Sequence, residues 1–304
     1  MKKSVLSTEA FGTGLAILFS QLVPRFLGYP VAYFIGWLVS LFPNGVAYKA
    51  VKLNQWIVSG KTLTRRGLKK AVRRVFRNQG FALYDFYHAF DRPDEIRWLA
   101  KFTPAFETLI EECNRREHPT MIVFPHLSGF NLGGLRLAHE LKQALTLSYP
   151  NPTRGYRWQN KLRNERGMEV VPFTIEALGE ARRRLLDGGT VLTGVARTLD
   201  ESRHHPVFFG YPTNLPVAYI QLAMKTNARL FVAGFITLGG HSPIIDISEQ
   251  VVLESHPDAE RELEMNAEKV LRIAEEFIRK DPSQWMMFYP AWPDEIPNLE
   301  KRRL

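Results

Sequence analysis

Two residues of this chain stand at a spacing that suits chemistry. His126 lies just beyond a β-branched and aromatic run, residues 120–124 (T-M-I-V-F), and Asn131 follows it by five positions. The run reads as a buried strand ended by Pro125, and the apolar-periodic segment after Ser128-Gly129 reads as a helix. In open α/β sheets chemistry gathers outside the carboxyl ends of the strands, so His126 is placed where it can act. Asn131 has two readings: the N-cap of the helix, which its residue type favours, or a member of the site. Ser128 beside His126 would supply a serine hydrolase, but the G-x-S-x-G elbow is absent around it. His204-His205 is an adjacent loop pair without a carboxylate at helical spacing, and the other histidines stand alone, so no metal site is expected.

The elements that must hold these residues follow in order. Residues 92–118 read as helical and polar, with Pro93 and Pro104 at helix starts. Strands are expected at 145–149, 169–172, 190–195, 207–209, 230–236 and 244–247. Helices are expected at 158–166, 174–186 (N-capped by Thr174, stopped by Gly188-Gly189), 215–225 and 257–280, with a loop at 151–155. Strands alternating with helices from residue 120 onward predict an α/β fold: a central, mostly parallel or mixed β-sheet flanked by helices on both faces. Trp285 and Trp292 are expected to pack the C-terminal tail against the core.

Composition narrows the partners. A net charge of +9 and a pI near 9.6 over 304 residues call for an anionic partner: nucleic acid, an anionic membrane surface or a phosphorylated substrate. The single cysteine, Cys113, excludes an intramolecular disulfide and a cysteine-cluster metal site. Residues 26–48 carry no charge, a length that would span a bilayer, yet Gly28, Pro30 and Pro43 interrupt them and Trp37 with three tyrosines suits interfacial depth. Residues 1–48 therefore read as N-terminal membrane-associated helices lying in or dipping into the interface; spanning and buried core helices are the alternatives. A basic amphipathic segment follows, with Lys61, Arg65, Arg66, Lys69, Lys70, Arg73, Arg74 and Arg77, as attraction to anionic lipid requires. No zinc-finger or RNP-type motif occurs, and nucleic acid would not explain the uncharged run, so no nucleic-acid partner is expected. The organisation expected is residues 1–48 as the apolar segment, 49–118 as a helical lead-in and 119–304 as the core.

The stretch His126-Leu-Ser-Gly-Phe-Asn131-Leu-Gly-Gly resembles the H-x4-D/E block of the lysophospholipid acyltransferase superfamily, most closely the lipid A late acyltransferases and phosphatidylinositol mannoside acyltransferases. Residues 53–86, the segment from Asn160-Lys-Leu-Arg163 to Val171-Pro172, the block Phe208-Phe209-Gly210-Tyr211-Pro212 and the ending Asp281-Pro282-Ser283-Gln284-Trp285 through Trp292 resemble further family blocks in the right order. The resemblance implies transfer of a fatty acyl group from a thioester, on acyl carrier protein or coenzyme A, to a hydroxyl of a membrane glycolipid or phospholipid. No cofactor is implied beyond that co-substrate, and the implied location is the cytoplasmic face of the cell membrane, peripheral or monotopic. A hydroxyl is a weak nucleophile, so a base such as His126 contributes roughly 10²–10⁴-fold by taking its proton. Backbone N–H groups around Gly129 would meet the tetrahedral oxyanion. Arg163 is the first candidate to hold the donor's phosphopantetheine or the acceptor's phosphate, followed by Arg154, Arg157 and Arg197.

At position 131 the chain departs from the family, which carries Asp or Glu there. An amide can accept from the imidazole N–H but cannot stabilise the imidazolium by charge, and an Asp-to-Asn change at the orienting position of a serine protease costs roughly 10⁴ in rate. Three readings stay open: Asn131 as a pure orienter, a carboxylate from elsewhere (Asp85, Glu140, Asp200 or Glu201) in place of the missing acid, or a homologue that has lost transfer and binds lipid or a partner.

Overall fold

The computed structural model describes residues 17–150, 154–165, 167–195, 198–199, 201–237 and 242–302, apart from the side chains of residues 154, 155 and 158. Its strands are β1 (Lys101–Phe102), β2 (Thr120–Phe124), β3 (Leu145–Ser148), β4 (Glu169–Pro172), β5 (Thr190–Gly194), β6 (Val207–Phe208), β7 (Tyr211–Pro212), β8 (Arg229–Thr237) and β9 (Pro243–Ile247). The main helices are α1 (Arg25–Val39), α2 (Val46–Val58), α3 (Arg65–Ala89), α4 (Pro93–Leu99), α5 (Pro104–Arg115), α6 (Phe130–Glu140), α7 (Arg154–Glu165), α8 (Ile175–Leu186), α9 (Ala218–Thr226) and α10 (Ala259–Lys280).

Seven strands form one sheet in the order β1-β9-β8-β2-β5-β3-β4. Every neighbouring pair is parallel except β8 with β9, so the expected mostly parallel, mixed sheet is present. β2 sits at its centre and is buried along its whole length, as a two-sided parallel strand must be. Its side chains alternate between two cores. Met121 and Val123 join Val191 and Val232 against α8, α9 and α10. Ile122 and Phe124 join Leu192, Phe231 and Phe235 against the end of α3 and α4 to α6.

Three local features depart from expectation. β1 interrupts the stretch read as helical throughout, because Ala100 turns extended and Lys101 and Phe102 pair with Ile244 and Ile245. Two residues on a sheet edge leave no periodicity to read. Residues 154–155, read as loop, open α7. Residues 207–209 form half of a hairpin, in which Phe209 (φ 49°) and Gly210 (φ 80°) both adopt the left-handed turn that joins β6 to β7.

The uncharged N-terminal run divides into α1 and the start of α2. Helix α1 lies along α3 at close approach, since a Cβ on Gly36 would sit 2.7 Å from the Phe76 carbonyl oxygen and one on Gly80 would sit 2.6 Å from that of Ala32. A polar clasp joins the same helices: the buried Asp85 carboxylate accepts from the Tyr29 hydroxyl at 2.8 Å and from Arg25 Nε at 3.3 Å, and Arg25 also meets Glu95. The outer face of α1 exposes Phe26, Phe34, Ile35, Trp37 and Leu38, with Phe42 beyond it. Among the described residues no helix is long and apolar enough to cross a membrane.

The C-terminal block folds back onto the lead-in helices. Asn54 Nδ2 donates to the carbonyls of Met287 and Tyr289 at 3.0 and 2.8 Å, and its Oδ1 accepts from Ala291 N at 3.0 Å. Trp285 and Trp292 are buried against the Phe208 ring at 5.7 and 5.5 Å, as expected of them.

Candidate active site

Parallel register brings the carboxyl ends of β2 and β5 together, with Phe124 opposite Gly194. Beyond Phe124 the chain turns sharply through Pro125, and Leu127 N donates back to the Pro125 carbonyl at 2.9 Å. The turn is held from the other side by the C-terminal block: Leu127 bridges Trp285, and Met286 N donates to the His126 carbonyl at 2.7 Å. The half-buried imidazole of His126 lies against the rings of Phe124 and Phe130, at 5.7 and 5.1 Å. It also lies directly over Gly194, where a Cβ would come within 2.3 Å of Cε1. Gly194 therefore gives the ring its seat, a role the sequence hints at by a glycine closing an otherwise branched strand.

His126 opens onto a cavity of about 680 Å³. Much of its wall is apolar, from Leu83, Leu147, Phe173, Val217, Leu263 and Met287. Asn131, Arg163, Ser148, Gln159 and Glu201 are among its polar lining. A hydroxyl or thioester entering this space meets an imidazole at a strand tip, apolar walls suited to hydrocarbon, and one buried cation.

That cation is Arg163, 3 % exposed and held by neutral groups. Its Nη1 donates to Asn160 Oδ1 at 2.7 Å, and its Nη2 donates to Asn131 Oδ1 at 2.8 Å. Asn160 in turn donates to Ser148 Oγ at the end of β3, at 3.2 Å. The rings of Phe86, Phe130 and Tyr156 surround the guanidinium at 5.5–5.6 Å. Burial pulls its pKa below the usual arginine value, while Tyr156 and Tyr87 work in the opposite sense.

Asn131 is not the helix cap. Gly129 occupies the N-cap position, without a side-chain cap bond, and Asn131 lies in the first turn of α6. The hydrogen bond of its oxygen goes to Arg163 and not to the imidazole of His126. Gly129 itself is packed tightly, since a Cβ there would meet Pro243 Cβ at 2.6 Å and the Phe235 carbonyl oxygen at 2.8 Å. Ser128 donates to Gln284 Oε1 at 3.1 Å, and Gln284 also bonds both backbone groups of Thr237. This ties Ser128 to β8 and the C-terminal block.

The other candidates scatter. Arg157 is exposed and lines a separate groove with Lys161 and Glu165 on the outside of α7. Arg154 opens α7, with its side chain outside the described residues, and Arg197 and Asp200 lie outside them altogether. Of the carboxylates considered as substitutes for the family acid, Glu201 lines the cavity, Glu140 pairs with Arg136 and Arg97, and Asp85 belongs to the α1–α3 clasp. Asn160, Gly194 and Gln284 emerge as residues that set the site; the sequence places Asn160 and Gln284 in family-like blocks but does not show their contacts.

No curated protein matches the chain. A strand-tip histidine, a buried arginine from the second block and a C-terminal block closing on the histidine backbone are nevertheless brought together as one site. Residues 1–293 match the bacterial lipid A biosynthesis acyltransferase family, and the chain belongs to that family.

Proposed function

We propose that the chain transfers a fatty acyl group from an acyl thioester, on acyl carrier protein or coenzyme A, to a hydroxyl of a membrane glycolipid or phospholipid, with His126 as general base. The observation that carries this reading is the placement of His126 at the tip of β2, over Gly194, in a largely apolar cavity that also holds Arg163. In the reaction the hydroxyl oxygen attacks the thioester carbon, its proton passes to the imidazole, and collapse of the tetrahedral intermediate expels the thiolate, which takes up that proton. Apolar walls hold the chain and exclude water, so the acceptor hydroxyl rather than solvent is the nucleophile. Arg163 holds an anionic part of one substrate.

The protein acts as a peripheral or monotopic enzyme on the cytoplasmic membrane face. The outer side of α1, with Phe26 74 % exposed, forms an apolar surface, and the exposed Arg65, Arg66, Lys69, Lys70 and Arg74 of α3 suit anionic head groups. A second reading, a lipid-binding homologue without transfer activity, draws on the amide at position 131. The two are separated by transfer from acyl-carrier-protein and coenzyme A thioesters to membrane lipid acceptors. The expected result is measurable transfer that His126→Ala lowers by roughly 10²–10⁴-fold. Equal turnover by wild type and His126→Ala would sink the catalytic reading.

A further inference from the structure

We infer that Asn131 and Arg163 form an anion-binding subsite beside His126, and that the amide at position 131 is what keeps it open. The inference deepens the proposed acyl transfer by naming the chemistry of one substrate group. Arg163 is 3 % exposed and bonded to two amide oxygens. Among the described residues it forms no ion pair. A buried ion without an opposite charge is costly to hold, and a counter-ion brought by a ligand relieves that cost.

The orientation of Asn131 follows from the same bond. A guanidinium has donors only, so Asn131 must turn its oxygen toward Arg163, and its NH₂ group then faces away from it with two further donors. Asn131 also sits in the first turn of α6, where no side chain caps the helix and no acidic residue occurs. The backbone N–H groups and the helix dipole there favour negative charge. Cation, amide donors and helix terminus thus gather at one end of the cavity. His126 is adjacent, since the Phe130 ring lies 5.1 Å from the imidazole and 5.6 Å from the guanidinium carbon.

A carboxylate at position 131 would pair with Arg163, neutralise it and remove both NH₂ donors. The chain's departure from its family therefore exchanges an internal ion pair for a place where the substrate supplies the negative charge. The ligand is a phosphate monoester or diester: the phosphate of a phosphopantetheine arm or that of a lipid head group.

The test uses the full chain and three probes: inorganic phosphate, 4′-phosphopantetheine and a short-chain phosphatidic acid. Calorimetric titration and thermal midpoints are compared with chloride at equal ionic strength. Wild type is expected to bind phosphate, and its midpoint to rise with phosphate concentration. Asn131→Asp is expected to fold with a higher starting midpoint and to bind each probe at least tenfold more weakly. Arg163→Gln is expected to lose binding, and Lys161→Gln, exposed on the same helix, to keep it. The organic probe that outcompetes phosphate by tenfold identifies the source of the anion. Phosphate binding by Asn131→Asp equal to that of wild type, or no phosphate response in wild type, overturns the inference. Binding needs no turnover, so phosphate binding by a protein inactive in the transfer assay sinks only the transfer reading.

Discussion

Two buried ionisable side chains, Asp85 and Arg163, are treated in opposite ways by the same fold. Asp85, 5 % exposed, is met by the Tyr29 hydroxyl and the Arg25 guanidinium, and Arg25 is itself tied to Glu95. Arg163, 3 % exposed, is met by the amide oxygens of Asn131 and Asn160. The first charge finds its counter-charge within the chain, and what results is a clasp between α1, α3 and α4. The second is steadied by neutral amides and aromatic rings in the wall of a cavity, and on the reading proposed above its counter-charge comes with a substrate. Compensated charge fixes architecture here, whereas the charge met only by neutral groups lies in the cavity wall.

Replacing Arg163 by methionine gives the largest expected effect. Removing a cation held only by neutral groups should leave the thermal midpoint unchanged or higher, because an apolar group of similar volume often replaces a buried ion without loss. Acyl transfer should fall by roughly 10²–10³-fold, the usual cost of deleting a preorganised donor. A folded Arg163→Met protein with full activity would erase the distinction between the two charges.

Asp85 should reveal itself through pH. Burial pushes its carboxyl up from the ordinary 3.8 to about 6, the bonds from Tyr29 and Arg25 opposing that rise. The native state therefore holds this proton more tightly than the unfolded state, and the unfolding free energy should fall as pH rises from about 4 to about 6. A rise of that size is worth about 3 kcal/mol. Asp85→Asn should remove that slope, which is read by comparing midpoints of variant and wild type across the window. Identical slopes would show that the clasp does not titrate.

The smallest effect belongs to a charge that is not buried. Lys161 lies 4.0 Å from Glu165 on the outer side of α7, on the same helix as Arg163. Lys161→Gln should move the thermal midpoint by no more than about 1 °C. A larger shift would mean that the helix, rather than burial, governs what a charge on it does.

The sheet is readable from the chain where pattern is strong. Residues 120–124, 169–172 and 190–195 announce themselves as short branched runs between turn residues, and they form β2, β4 and β5 within a residue. β1 is not readable, because two residues cannot show a period and their pairing is set by β9, more than a hundred residues away. The same limit governs the site. His126 is legible from its place after a strand, and Arg163 from the block that contains it. The partner of Asn131 is not: the bond crosses 32 residues and depends on how α7 packs beside β4. Gly194 can be seen as a glycine in a strand, but not as the seat of an imidazole just past the end of the neighbouring strand.

The backbone bond from Met286 to His126 bears on when the protein becomes competent. Asn54 grips the same C-terminal block across 233 residues. The turn that carries His126 is thus locked in place by chain that leaves the ribosome long after the strand preceding it. Contacts of such sequence separation form late, once loop closure between distant segments has been achieved. Whatever part of the chain has already folded, the His126 turn is complete only when the block around Trp285 closes over it.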